Sequence, residues 1–158
     1  MDWGEFLRVA HVLGACVLIG TGSGIAFFML MADRTSDPAF VAQTASVVVV
    51  ADMLFTATAA VAQPITGYLL MQHVGWNFSE GWLALSLALY VFIGLFWLPV
   101  VWIQIKMRDE ARISVQNGKA LTPRYHRLYR IWFACGIPAF CAIVVLLWLM
   151  VTRPHISF

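Results

Sequence analysis

Four stretches of the chain, at about 6–32, 45–73, 82–105 and 130–152, are nearly unbroken runs of apolar residues bounded by polar or charged ones. A helix rises 1.5 Å per residue, so about 20 residues cross a hydrocarbon layer of about 30 Å. Each run is long enough. The pattern predicts an all-α integral membrane four-helix bundle, and residues 1–158 read as a single domain with no repeat, linker or low-complexity tail. The first run is not a cleavable leader: Met1–Arg8 carries Asp2 and Glu5 in place of a basic start, and the run is too long.

Composition agrees. The 158 residues are 61% hydrophobic and 11% charged, with a mean hydropathy of +0.82, against roughly 25% charged residues in soluble domains. Charge then orients the spans. Lys106, Arg108, Arg112, Lys119, Arg124, Arg127 and Arg130 hold seven of the ten basic residues, all between the third and fourth runs, and the connection around His73–Gly81 has none. The positive-inside rule makes the third connection cytoplasmic, so the Asp33–Pro38 turn is cytoplasmic too and both termini lie outside. Trp3, Trp76 and Trp82 suit the outer interface. The basic Thr122–Trp132 segment suits the inner one, in contact with anionic lipid and not nucleic acid.

Candidate chemistry is sparse. Cys16, Cys135 and Cys141 lie in spans without a CxxC pattern and are expected to be inert and buried. Asn77-Phe78-Ser79 matches a short glycosylation pattern of little weight. The stretch RVAHVLGACVLIGTGSG (residues 8–24) is more informative. Ala15, Leu18 and Gly22 fall within about 40° of His11 on a helix, so His11 stands above a strip of small residues of the kind a porphyrin face requires. Gly20 and Gly24 form a GxxxG pair on the other side, expected to pack a neighbouring helix.

A histidine inside a span is costly unless paired, which makes His11 a candidate haem or metal ligand, with a neutral, hydrogen-bonded histidine as the alternative. His73 returns to the same side of the membrane, and two histidines suffice for a six-coordinate b-type haem. Depth argues against the pair. With His11 level with about Gly67, His73 is roughly 9 Å too shallow unless Pro64 bends the helix, and an interfacial role for His73 stays open. His126 and His155 are expected to be solvated. Asp52, within VVVVADMLF, is expected near the inner interface in a structural role, with a proton relay as the alternative.

Taken together, His11 just inside the outer interface, Pro64 and Gly67 in the second span, and Gly81-Trp82-Leu83 opening the third resemble a bacterial family of four-helix membrane proteins of unknown function. The chain is more distantly similar to the HemJ-type membrane protoporphyrinogen oxidases. That resemblance implies a bacterial inner-membrane location and a haem b ligated by His11, with Ala15 and Gly22 beneath the ring and Arg8 near its propionates. His73 or an open site would face it. The departures are Ser86, where the HemJ type has a lysine, and MLMADRT (residues 29–35) in place of a Leu-Pro-Arg pattern. Three functions follow: a b-haem protein for electron transfer or oxidation of a lipophilic substrate, with a membrane redox partner or a second copy of itself; an active protoporphyrinogen oxidase; or a non-redox assembly partner or small transporter.

Overall fold

Capping chemistry, more than the limits of the apolar runs, sets where the helices end. The computed structural model describes residues 2–156, and helix α1 spans Trp3–Thr35. The Asp2 carboxylate accepts from the Glu5 amide (2.7 Å) while the Glu5 carboxylate accepts from the Asp2 amide (3.0 Å), which satisfies two otherwise orphaned donors. Ser36 takes the left-handed conformation, φ 54°, and ends α1. Asp37 then caps α2, Pro38–Ala51, by accepting from the Ala39 amide (2.9 Å), with Pro38 in the first turn, where a missing N–H is harmless.

A π-helical turn, Asp52–Thr56, joins α2 to α3, Ala57–Val74, without a break, so Pro38–Val74 is one 37-residue rod. Helices α4, Gly81–Gln116, and α5, Pro123–Thr152, complete the chain. Four rods are therefore long and apolar enough to cross a membrane, and there is no strand among the described residues. The expected all-α four-helix membrane architecture holds. Helix extends past the apolar runs chiefly at the basic end, where residues 38–44, 106–116 and 123–129 are all helical. Two of the cations there are paired: Arg108 with Asp109 (2.8 Å) and Arg124 with Glu110 (3.3 Å).

The packed core lies at this same end. Met29, Ala32, Val41, Met107, Ala111 and Tyr125 are each at most 1% exposed. Elsewhere large apolar side chains stand outward, such as Leu95 at 65% and Val151 at 81% exposure, a surface that suits lipid and not water. Two expectations need correcting. Cys16 and Cys141 are exposed on this apolar surface, and only Cys135 is partly covered. A Cβ at Gly20 would meet nothing within 4 Å, and one at Gly24 would meet only Phe28 of its own helix, so among the described residues no other helix packs on the GxxxG pair. The reason is that α3 packs against the His11 side of α1, through Gly4 and Gly14, which leaves the opposite face to lipid.

Candidate functional site

Along the seam between α1 and α3, glycines of each helix make room for polar side chains of the other. The His11 ring rests on Gly67, where a Cβ would stand 3.0 Å from Cε1. Gln63 lies over Gly14 and donates to the His11 carbonyl (2.8 Å). The His73 ring fills the notch at Gly4, where a Cβ would stand 2.6 Å from its Cδ2. The register is the one read from the sequence, with His11 level with Gly67.

Hydrogen bonding holds the imidazole by one ring nitrogen. The Thr66 hydroxyl lies 2.8 Å from the Ala62 carbonyl and 3.0 Å from His11 Nδ1, and when it gives its proton to the carbonyl it accepts from Nδ1. In that arrangement the proton sits on Nδ1; in either tautomer, Nε2 has no hydrogen-bond partner among the described residues. A metal-ligating histidine has the same arrangement, one ring nitrogen donating to a fixed partner and the other free. His73 does not meet it. From Gly4 to His11 is seven residues along α1, about 10 Å, so the two histidines occupy successive notches of one seam and do not face each other. Arg8 is exposed, one turn outward from His11, and His126 and His155 are exposed, as expected.

Inward from His11 the spans part around a cavity of about 830 Å³ bounded by α1, α3, α4, α5 and the π turn. Ala15, Leu18 and Gly22, the strip predicted below His11, form part of its wall, while His11 itself lies beyond the outer rim. Val61, Leu98, Ile137 and Phe140 line it and are also exposed, so the cavity opens sideways toward lipid.

The cavity floor is polar, and sequence reasoning missed it. Asp52 is 3% exposed; it accepts from Trp97 Nε1 (3.3 Å). In the amide orientation that satisfies both neighbours, Gln104 donates to Asp52 Oδ2 (3.2 Å) and accepts from Trp132 Nε1 (3.1 Å). Asp52, expected near the inner interface in a structural role, is turned into the bundle, where its carboxylate ties the π turn to α4 and, through Gln104, to α5. Thr56, one turn on and 8% exposed, has a hydroxyl that completes no hydrogen bond. Such π turns recur at functional sites because the extra residue breaks the regular ladder. The one sequence clue was Gln104, an amide near the end of an apolar run.

Among the described residues, no group of three or more His, Cys, Asp or Glu side chains comes together as a metal centre. A metal at His11 would therefore have to arrive with most of its ligands, as iron does in a porphyrin. At the end remote from the basic segment, Trp76 and Trp82 meet edge to face (5.1 Å), the Arg153 guanidinium lies over Trp76 (4.6 Å), and Gly81 leaves room for Ile156. Two of the residues that carry the sequence resemblance, Gly67 and Gly81, are thus places of close approach. No curated protein and no solved structure matches the chain. A family match covers residues 5–154, nearly the whole chain, and the protein belongs to that family, described as predicted integral membrane proteins (DUF2269).

Proposed function

We propose that this protein is a b-type haem-binding protein of the bacterial cytoplasmic membrane, acting in oxidation of a lipophilic substrate or in electron transfer. The observation that carries the reading is the His11 imidazole, pinned through Nδ1 to Thr66 with Nε2 free. The small residues inward of it, Ala15 and Gly22, line a cavity of about 830 Å³, within the range of cofactor and ligand pockets. In this reading His11 holds the iron, Ala15 and Gly22 lie against the ring, and Arg8 answers the propionates. The haem would supply reversible one-electron chemistry, and the bundle would set its potential through the axial ligand and burial. The chain's own part is to fix the imidazole, keep water from the apolar wall and admit a lipophilic molecule through the side opening.

Because His73 stands about 10 Å outward, the reading gives the iron one histidine and an exchangeable position opposite. The test is the visible spectrum of the detergent-purified protein from haem-supplied cells, oxidised and reduced. A red protein whose ferrous form binds carbon monoxide is expected, with His11→Ala losing the spectrum and His73→Ala keeping it. A colourless wild type overturns the proposal. A low-spin spectrum abolished by His73→Ala overturns the single-histidine assignment. Turnover of protoporphyrinogen by the red protein would mark it as an oxidase of the HemJ type.

A further inference from the structure

The cavity contains a group that the haem reading leaves unused. Among the described residues, Asp52 is the only one in the lining that is charged at neutral pH in its ordinary state. No described Lys, Arg or His lines the cavity, and the other ionisable side chains there, Tyr90 and Cys141, are neutral when protonated. A carboxylate offers about four lone-pair sites. Trp97 and Gln104 occupy two of them and neutralise none of the charge. The ion pairs found, Arg108–Asp109 and Arg124–Glu110, lie at the basic end.

A carboxylate kept from water this completely is stable only when it is paired or protonated. The surroundings favour a partner of one kind. Phe96, Trp97, Trp132 and Phe133 line the same region, and aromatic faces attract cations. Thr56 lines the same wall, one turn from Asp52. An anion would find no counter-charge anywhere in the lining, and the side opening admits solutes from the lipid phase. We infer that the cavity binds a lipophilic organic cation, its charge set against Asp52 and its apolar groups against the walls. The charged end of this site is remote from the proposed haem ligand, since Asp52 and Gly67, the level of His11, are fifteen residues apart on the rod, about 22 Å, whereas the walls at Ala15 and Gly22 are common to both readings.

Tetraphenylphosphonium is the probe, with tetraphenylborate as its counterpart of the same shape and opposite charge, each measured by equilibrium dialysis against the detergent-purified full chain. Saturable binding of the cation, and none of the borate, is expected. Asp52→Asn should weaken the cation by at least about tenfold, as loss of a buried charge partner does, while the melting profile shows the variant folded. Gly94→Phe gives a second handle: a Cβ there meets nothing within 4 Å and the residue lines the cavity, so the ring fills the space and should abolish binding. Equal affinity for the borate, no saturable binding of the cation, or undiminished binding by Asp52→Asn or Gly94→Phe would each overturn the inference. Cation binding is measured on protein from cells given no added haem, and the spectrum on protein from haem-supplied cells. A haem-free protein that ignores the cation defeats this inference alone, and a haem-supplied protein that stays colourless defeats only the haem reading.

Discussion

Replacing Gly67 by alanine isolates one contact on which the outer seam depends. The new methyl would stand 3.0 Å from His11 Cε1 and 3.6 Å from Nδ1. The ring has little freedom to retreat, because Nδ1 is tied to Thr66, the residue before Gly67. Overpacking of this kind costs about 1–3 kcal/mol. Against it stands the gain of about 0.8–1 kcal/mol when alanine replaces glycine inside a helix. The net effect of Gly67→Ala is therefore between neutral and about 2 kcal/mol destabilising. Gly20→Ala supplies the reference, since its methyl meets nothing within 4 Å and only the helical gain remains. Unfolding in mixed micelles titrated with sodium dodecyl sulfate, followed by helical circular dichroism, should separate the two variants by about 1–3 kcal/mol. In a His11→Ala background the ring is gone, and the separation should collapse, which is the signature of a direct contact in a double-mutant cycle. The reasoning fails if Gly67→Ala and Gly20→Ala coincide in the wild-type background, or if the Gly67→Ala penalty survives without His11.

Two further outcomes are expected. Thr122 caps α5 by accepting from the Tyr125 amide (3.1 Å) and donates its own proton to Glu110 (2.9 Å), so Thr122→Ala should cost about 1–2 kcal/mol in the same titration, and an unchanged midpoint would show the cap to be idle. Seven basic residues lie in the last turns of α4, the loop after it and the first turns of α5, against none between α3 and α4, which by the positive-inside rule predicts both termini outside; a phosphatase reporter fused after residue 158 should be active, and activity from a cytoplasmic-type reporter instead would reverse the orientation.

The number of spans and the facing of His11 toward Gly67 were legible because both follow from length along a helix. Helix ends were less so. Asp37-Pro38 and Thr122-Pro123 are capping pairs, yet they lie outside the apolar runs and in the loops those runs imply, so the second and fourth rods read too short. Which face of a span points inward was the least legible feature. In water an amphipathic stripe marks the buried side, but here Leu95 and Val151 face lipid and Met29 and Met107 face protein with the same apolar chemistry. Asp52 suffered most from this, since depth alone placed it and the partners that turn it inward, Trp97 and Gln104, come from another helix.

The π turn gives the long rod its phase. The buried positions Val41, Ala45, Val48, Asp52, Thr56, Ala59 and Gln63 advance by threes and fours, with two successive steps of four falling at Asp52–Thr56, where the wider turn absorbs them. Wound instead as an ordinary α-helix without the wider turn, the same residues would rotate everything after them by roughly 100°. Thr66 and Gly67 would swing away from His11 while Gln63 left Gly14, although hydropathy and span length would hardly change. One inserted residue thus works as a shared timing mark, setting the angle at which the rod meets α1 near the outer surface and the angle at which it presents its carboxylate to α4 in the interior.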